Sequence, residues 1–507
     1  MSLSRYSTLQ LHVTFIALAL LFAAWINYIH HGWINGDSVL YFEAARLFSL
    51  GEWRAGMEVW GWPLFSLLIA GMHKLSGLNI QLSAQVLNTL LFGLATASFL
   101  QLIREAGGQK TALISGGLLL LSSQYIVGDI LPMLLRDQGF WAFFLTSLVF
   151  FVRYAKHYRV RDALLWQACI MTATLFRIEG ISYLALLPMA LLFTAPAHMK
   201  LKAFLHAHSL NILAGVGLLA SILILGLQTT ELGRLQEILT LDIHQQLTQK
   251  LLAQAGIMAE SVLGEYLDEF AVPGLLVTFI FILLIKVLYT TGTLNTILSL
   301  LAIRARPALA AQPAKAVLNT AILISLINMF LIITKVFVLS GRYVIALALI
   351  LMVYAAFYMA YLFERYQSGY PRNRVGRVIL WVIPASILIG LLTNLWPKPV
   401  GFNYEQEAIA WLKAHHIDNK DVFFDSARLR YYAGASFIGN DGNFVLETIR
   451  RGEDITEPYV VIGGINSKRP EQHELFTASY PNYKEIVQFS GPKNKKFTII
   501  YKKFTPQ

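Results

Sequence analysis

The sequence predicts a polytopic α-helical membrane protein with about eleven transmembrane helices and a small C-terminal α/β domain. Its 507 residues are 56% hydrophobic and 14% charged, with a mean hydropathy of +0.55, so the chain is too apolar for an ordinary globular protein. Several apolar stretches approach the roughly 20 residues that a helix needs to cross a bilayer core of about 30 Å. After residue 396 the composition changes to charged segments and short strand-like runs.

Hydropathy assigns residues 1–396 to a transmembrane domain and residues 397–507 to a soluble domain. The predicted spans are 11–29, 79–103, 110–127, 138–154, 164–178, 180–195, 207–228, 271–290, 316–334, 343–362 and 378–396. The fifth and sixth spans are short, which leaves open a hairpin that does not fully cross. Cys169 is the single cysteine and excludes an intrachain disulfide.

Charged residues divide between alternate loops, which predicts the orientation. Basic residues occupy one set of loops: Arg104, Lys110, Arg153, Lys156, Arg159, Arg161, Lys200, Lys202, Arg304, Arg306, Arg365, Arg372, Arg374 and Arg377. Acidic residues occupy the alternate set: Asp37, Glu43, Glu52, Glu58, Asp129, Asp137, Glu231, Glu237, Asp242, Glu260, Glu265, Asp268 and Glu269. Because basic loops stay inside, the N-terminus is predicted to be cytoplasmic and the C-terminal domain periplasmic or extracellular, in the inner (plasma) membrane.

The first external loop is predicted to carry two helices that lie in the membrane interface. Residues 38–50 mix apolar and charged side chains as such a helix requires, and Pro63 can open a second helix that ends at Ser76-Gly77. Tryptophan favours the headgroup level, and four lie nearby: Trp33, Trp53, Trp60 and Trp62.

The C-terminal domain alternates short strands with helices, which predicts an α/β fold. Gly463-Gly464 is expected to form a turn, since no glycine-rich nucleotide-binding motif accompanies it. The predicted strands lie at 422–424, 459–462 and 497–501, and the predicted helices at 404–415 and 428–432.

Short motifs follow several of these spans. They are Asp37, Tyr41, Ala44-Ala45-Arg46, Gly51-Glu52-Trp53 and Pro63 to Gly77; Asp137 ahead of Ala142-Phe143-Phe144-Leu145; Phe176-Arg177-Ile178-Glu179-Gly180; and Ser340-Gly341-Arg342-Tyr343. This arrangement resembles the GT-C superfamily of lipid-linked-sugar glycosyltransferases, especially the aminoarabinose transferases of lipid A and the protein O-mannosyltransferases. Two departures are Asp37-Ser38, where these families often have Asp-Glu, and Trp60-Gly61-Trp62, where the aminoarabinose enzymes carry a basic residue.

The resemblance implies an inverting glycosyltransferase that moves a sugar from a polyprenyl-phosphate carrier to a hydroxyl of a lipid, glycan or protein acceptor. Membrane lipids are then partners and nucleic acid is not, and no nucleotide is needed because the carrier brings an activated sugar. Two alternatives stay open: a glycan ligase or polymerase that uses a diphosphate carrier, and a multi-pass transporter. The sequence shows no repeated halves of the kind that many transporters have.

Under this resemblance, Asp37 is the expected general base and Asp137 a second catalytic acidic residue, with Glu43 as a supporting group. Each carboxylate has a structural alternative. Asp37 could cap the interfacial helix, and Asp137 could pair with Arg136 or cap the fourth span.

Cations near the external face are the expected contacts of the donor phosphate. Arg342 and Lys335 break the acidic trend of that face, although snorkelling to headgroups is the alternative. Arg177 and Glu179 lie in an apolar pair of spans, where they form either an ion pair or a substrate contact, and their spacing predicts a helix break near Gly180. Tyr343 is a further supporting residue.

A metal site is not expected. His30-His31 and Asp242-Ile243-His244 contain metal-binding residue types, but neither segment supplies three or four ligands at a recognised spacing. Whether a divalent metal assists the donor is left open.

Overall fold

The computed structural model describes residues 7–30, 33–213, 215–216, 243–264, 266–305, 312–369, 374–396, 403–439, 444–466, 471–491 and 494–504. The chain forms two compact units. The membrane unit comprises Met1–Ile26 and Gln85–Trp396, and the second unit comprises Asn27–Ala84 and Pro397–Gln507. The loop that is predicted to be external therefore groups with the C-terminal residues. The sequence instead predicts a single boundary between residues 396 and 397.

The membrane-region helices carry almost all of the apolar sequence. They are α1 (Thr8–Ile29), α5 (Ile80–Glu105), α6 (Lys110–Leu121), α7 (Asp137–His157), α8 (Val160–Phe176), α9 (Gly180–Leu186), α10 (Leu191–Thr194), α11 (Lys200–Ala207), α12 (Ile243–Met258), α13 (Ala271–Thr291), α14 (Thr293–Ala305), α15 (Gln312–Val336), α16 (Ile345–Gln367) and α17 (Arg374–Leu395). A π-helical segment, Gln124–Ile130, follows α6, and a 3-10 turn, Gly341–Val344, leads into α16.

Five helical stretches in the described part of the chain are long and apolar enough to cross a membrane, or six if the bent pair Lys110–Leu121 and Gln124–Met133 is one span. The predicted count of eleven is therefore not confirmed. The seventh predicted span, 207–228, lies mostly outside the described residues. Gly341–Gln367 is 83% buried and Thr8–Ile29 only 28%, so the former is central to its unit and the latter peripheral.

The predicted path of the chain between the spans 271–290 and 343–362 needs correction. The expected topology places the end of span 271–290 and the start of span 343–362 on opposite sides of the membrane. In the structure a Cβ atom at Gly341 would lie only 2.9 Å from Thr290 Oγ1, so these two positions are side by side. Sequence analysis missed α14, which begins after Gly292 and packs along α16. This additional helix leads the chain from Thr290 to Arg304.

The loop that is predicted to be external forms three helices: α2 (Gly36–Leu50), α3 (Trp53–Val59) and α4 (Leu64–Ser76). The first and third match the two predicted interfacial helices. The helix α4 ends as expected, because Gly77 adopts the left-handed conformation that terminates a helix (φ 72°). Tyr41 of α2 makes edge-to-face contacts with Trp60 and Phe65, at ring-centroid distances of 5.2 and 5.5 Å, and so packs α2 against the α3–α4 segment.

The C-terminal residues form the predicted α/β fold. Four strands, β1 (Val422–Phe424), β2 (Tyr459–Asn466), β3 (Tyr483–Ser490) and β4 (Lys496–Lys503), pair in the order β1-β2-β4-β3. The β1–β2 pair is parallel, and the β2–β4 and β3–β4 pairs are antiparallel. Helices accompany the sheet: α18 (Tyr404–Ala414), α19 (Ala427–Ala433), α20 (Phe444–Arg451) and α21 (Glu471–Ser479).

Buried apolar residues pack against the sheet in two clusters. One includes Val460, Ile462 and Phe476, and the other includes Val461, Ile500 and Leu429. Successive strand residues thus enter different clusters, as expected for a sheet packed on both faces. The prediction of a turn at Gly463-Gly464 is wrong: both glycines lie within β2, where the pairing register shifts between Ile462 and Ile465, and Gly464 has φ 73°.

Candidate functional site

The helical conformation is interrupted between α8 and α9, as the spacing of Arg177 and Glu179 predicts. The helix α8 ends at Phe176, and Arg177 is extended with φ −145° and ψ 129°. The helix α9 begins at Gly180, where a Cβ atom would lie 2.9 Å from both the amide nitrogen and the Cα of Thr174. A larger residue would push these segments apart, so glycine permits the tight reversal that brings the two charged side chains together.

Arg177 lies between two carboxylates. Its Nη2 is 2.6 Å and its Nε 3.3 Å from the Glu179 carboxylate, and its Nη1 pairs with Asp137. The Arg177 and Asp137 side chains are only 6% and 1% exposed. The guanidinium also lies 4.6 Å from the centre of the Tyr343 ring. This charge cluster, Asp137, Arg177, Glu179 and Tyr343, joins residues that are distant in sequence and carries one more carboxylate than guanidinium.

A small cavity of about 10 Å³, with room for about one water molecule, borders this charge cluster. Its lining residues are Phe140, Arg177, Glu179, Tyr183, Ser325, Asn328, Ile332, Arg342, Tyr343 and Ala346. Arg342 reaches it from the 3-10 turn Gly341–Val344, where the Arg342 amide donates to Ser340 Oγ at 3.5 Å. The cavity therefore has a cation, Arg342, in addition to the guanidinium that the two carboxylates already engage.

The remaining predicted residues do not line this cavity. Lys335 lies exposed in the last turn of α15 and is not among the lining residues. Asp37 and Glu43 belong to the second unit.

Sequence analysis missed three polar residues at the cavity. The Tyr183 hydroxyl lies 2.6 Å from Ser325 Oγ, and the Asn328 side-chain amide donates to the Glu179 carbonyl at 3.4 Å. A signal for two of them was present, because Ser325 and Asn328 stand three residues apart in an apolar span and so share one helix face. No comparable signal marks Tyr183.

In the second unit, Asp37 lies in the first turn of α2 and is half-buried. The cap of this helix is made by Asn35, whose side-chain oxygen accepts the Asp37 amide at 2.9 Å. Asn35, and not Asp37, is therefore the N-cap of α2.

Glu43 makes a salt bridge on the same helix. Its carboxylate accepts from Arg46 Nη2 at 2.7 Å and from Arg46 Nε at 2.9 Å. Six residues separate it from Asp37, which places the two about 120° apart around the helix. Glu43 therefore supports α2 through Arg46 and does not share a face with Asp37.

No group of three or more potential metal ligands occurs within the described ranges. His31 and Asp242 fall outside those ranges, as does the His244 side chain. The two segments considered as metal sites from the sequence are thus only partly described.

No protein-family model matches the sequence, and no curated protein matches it. Among solved structures, the chain is similar to ArnT from Cupriavidus metallidurans bound to undecaprenyl phosphate, with 14% identity and a TM-score of 0.54 over 96% of this chain and 97% of ArnT. It is also similar to the arabinofuranosyltransferase AftD from Mycobacteria, with 13% identity and a TM-score of 0.44 over 99% of this chain and 42% of AftD. The chain thus spans less than half of AftD.

The likeness to ArnT covers nearly the whole of both chains, so it concerns the complete architecture and not a single motif. At 14% identity it shows the fold alone. The resemblance that the motifs suggest is confirmed at the level of the fold. This chain is a membrane protein with the fold of ArnT.

Proposed function

We propose that this protein is an inverting glycosyltransferase that moves a sugar from a polyprenyl-phosphate carrier to an acceptor hydroxyl at the external face of the membrane. The observation that carries the proposal is the cavity that Arg342 shares with the buried charge cluster, in a chain with the fold of a protein solved with undecaprenyl phosphate. A charged cavity in an apolar unit is costly to form, and such groups usually serve a function.

Arg342 is the proposed contact of the donor phosphate. The planar guanidinium can offer two parallel N–H groups to phosphate oxygens, and it lies at the cavity wall. Arg177 also lines the cavity, but its guanidinium nitrogens already donate to Asp137 and Glu179. We assign Arg177 to holding the two carboxylates and the Tyr343 ring in place, and Lys335 to attracting the lipid phosphate from the exposed end of α15.

Asp37 is the proposed general base. The acceptor oxygen forms a bond to the anomeric carbon, the bond from that carbon to the phosphate oxygen breaks, and the acceptor proton passes to the Asp37 carboxylate. Polyprenyl phosphate leaves with the electron pair, and one displacement inverts the anomeric centre. A positioned base of this kind contributes about 10²- to 10⁴-fold in rate.

The test uses the full-length protein in lipid nanodiscs with undecaprenyl phosphates that carry radiolabelled hexoses or pentoses, and with acceptors extracted from native membranes. We expect label to pass from carrier to acceptor, and Asp37→Asn to slow this transfer about 10²- to 10⁴-fold without weakening donor binding. Glu58→Gln is the matched control, since Glu58 is an exposed carboxylate that pairs with Arg54 on the neighbouring helix α3.

Three results would overturn parts of this proposal. Full transfer by Asp37→Asn would remove Asp37 as the base. Consumption of diphosphate carriers alone would indicate a ligase or polymerase. Movement of sugar across sealed vesicles with an intact carrier would indicate a transporter.

A further inference from the structure

A second cavity lies in the membrane unit where two helices are interrupted. Ser122 and Ser123 separate α6 from the π-helical segment, and Gly292 separates α13 from α14. The cavity has a volume of about 160 Å³, and residues of α17 complete its wall. This volume is close to that of a cavity of about 150 Å³ that binds the six-membered ring of benzene. We call it the Thr290 cavity.

The lining of the Thr290 cavity is polar without being charged. None of its thirteen residues is acidic, basic or histidine, and ten of them carry hydroxyl, phenol or amide side chains. Two of the phenols, Tyr125 and Tyr289, meet edge to face at 5.5 Å. Hydroxyls and amides both donate and accept hydrogen bonds, so they match a group rich in hydroxyls. A phosphate would instead need cations, and an ammonium group would need a carboxylate.

Three buried oxygens in this wall have no hydrogen-bond partner among the described residues: Thr290 Oγ1, Thr291 Oγ1 and Asn295 Oδ1. The three residues are 0%, 1% and 5% exposed. A buried polar atom without a partner costs about 1–3 kcal/mol, and lipid offers no water to replace the partner. A bound ligand with hydroxyl groups would satisfy these atoms.

The cavity wall is adjacent to Arg342. A Cβ atom at Gly341 would overlap the Tyr125 hydroxyl and would lie 2.9 Å from Thr290 Oγ1. Glycine therefore lets the turn that carries Arg342 rest directly on two residues of the cavity. Arg342 follows Gly341 directly, so the residue that lines the cavity at the charge cluster is adjacent in sequence to the residue that contacts this wall.

We propose that the Thr290 cavity binds the sugar ring of the lipid-linked donor and that this sugar is uncharged. The inference rests on the proposed function, because it takes the donor phosphate to lie at Arg342. It adds the sugar subsite and the chemical class of the sugar, a neutral hexose or pentose, to that function.

The test measures dissociation constants by native mass spectrometry of the full-length protein. The probes are undecaprenyl phosphate, undecaprenyl phosphate that carries glucose, mannose, galactose or arabinose, and undecaprenyl phosphate that carries an amino pentose. We expect the wild type to bind at least one neutral-sugar carrier about tenfold more tightly than the bare carrier, since each net hydrogen bond contributes about 1 kcal/mol. The double variant Thr290→Val, Thr291→Val should lose this preference and bind the bare carrier normally.

The control is Thr296→Val. The Thr296 hydroxyl donates to the Gly292 carbonyl at 2.9 Å and does not line the cavity, so this variant should keep the preference. Normal binding of the bare carrier by the double variant shows that it is folded.

Different results separate the two proposals. A wild type that binds none of the carriers contradicts the proposed function, and this inference falls with it. If the wild type prefers a sugar-bearing carrier and the double variant keeps that preference, the cavity assignment is wrong while the proposed function stands. Equal weakening for bare and sugar-bearing carriers, or a wild-type preference for the amino pentose, would also overturn the assignment.

Discussion

Two arginine–carboxylate sets, one in each unit, differ in how their charges balance. In the second unit, Arg428 has one carboxylate partner among the described residues, Glu405, with Nε 2.6 Å from that carboxylate. In the membrane unit, Arg177 pairs with both Asp137 and Glu179 and borders a cavity that a further cation, Arg342, also lines. Each set contains a buried carboxylate that pairs with an arginine. The second carboxylate and the cavity distinguish the set that we assign to function.

A further buried carboxylate, Asp425, sharpens this contrast. Asp425 follows β1 and is fully buried, and it accepts hydrogen bonds from the Val445 amide at 3.0 Å and from the Gln472 side chain. These contacts tie the end of β1 to α20 and α21. Burial raises the pKa of Asp425 to about 7, and the charge of Glu405 adds to the rise. Hydrogen bonds to neutral groups thus account for the burial of Asp425. Asp137 and Glu179 instead share one guanidinium, so their two charges are not fully balanced within the charge cluster.

The largest expected effect tests the charge balance itself. Arg177→Met should destabilise the protein by about 3–5 kcal/mol, because it leaves two buried carboxylates without their cation. Arg428→Met is the matched control and should cost less, since one carboxylate loses its partner and the Arg428 side chain is 28% exposed against 6% for Arg177. Denaturant unfolding of the detergent-solubilised protein measures both changes.

Adding Asp137→Asn and Glu179→Gln to Arg177→Met should recover part of the lost stability, because the uncompensated charges are then removed. If Arg177→Met costs no more than Arg428→Met, the distinction between the two sets is wrong.

An intermediate effect concerns pH and the buried carboxylate of the second unit. The pKa of Asp425 is higher in the folded protein than its usual 3.8, so the folded state holds the proton over a range where the unfolded state has lost it. The free energy that Asp425 contributes to the stability of the sheet should therefore be greatest below about pH 4, fall as the pH rises towards 7, and level off above it. The upper limit of the fall is about 4 kcal/mol.

Amide hydrogen exchange of β2 in the full-length protein, corrected for intrinsic exchange rates, measures this fall. Asp425→Asn should remove it. A fall of equal size in the variant would assign the pH dependence to another group.

The smallest expected effect separates the two cations predicted to contact phosphate. Arg342→Ala should weaken binding of undecaprenyl phosphate about 10- to 100-fold, since a hydrogen bond to a charged group contributes about 1.5–3 kcal/mol. Lys335→Ala should weaken it about threefold, because exposed charge pairs contribute at most about 1 kcal/mol. Binding to protein in nanodiscs measures both. A larger loss for Lys335→Ala would reverse their assigned roles.

The sequence predicted the elements whose signals are local. The interfacial helix α4 begins next to Pro63 and ends at Gly77, and the apolar runs at 422–424, 459–462 and 497–501 all lie in strands. It missed β3, because that strand lies at the sheet edge and its alternating charged and polar residues weaken the apolar signal. It missed α14 because Thr293 and Asn295 interrupt the hydropathy after Gly292.

The residues of the charge cluster were singled out from the sequence, but their arrangement was not predicted. The break at Gly180 followed from the two-residue spacing of Arg177 and Glu179. The pairing of Arg177 with Asp137 did not, because 40 residues separate them and only the packing of α7 against α8 brings them together. The Thr290 cavity was invisible for a similar reason, since three segments that are distant in sequence form it.

The central claim is that Arg342 holds the phosphate of a lipid-linked sugar. A cryo-EM structure of the full-length protein with undecaprenyl phosphate bound tests it most directly. The account predicts phosphate oxygens within about 3 Å of the Arg342 guanidinium nitrogens, at the cavity that Tyr343 also lines. Phosphate bound at another part of the membrane unit, with no contact to Arg342, would contradict it.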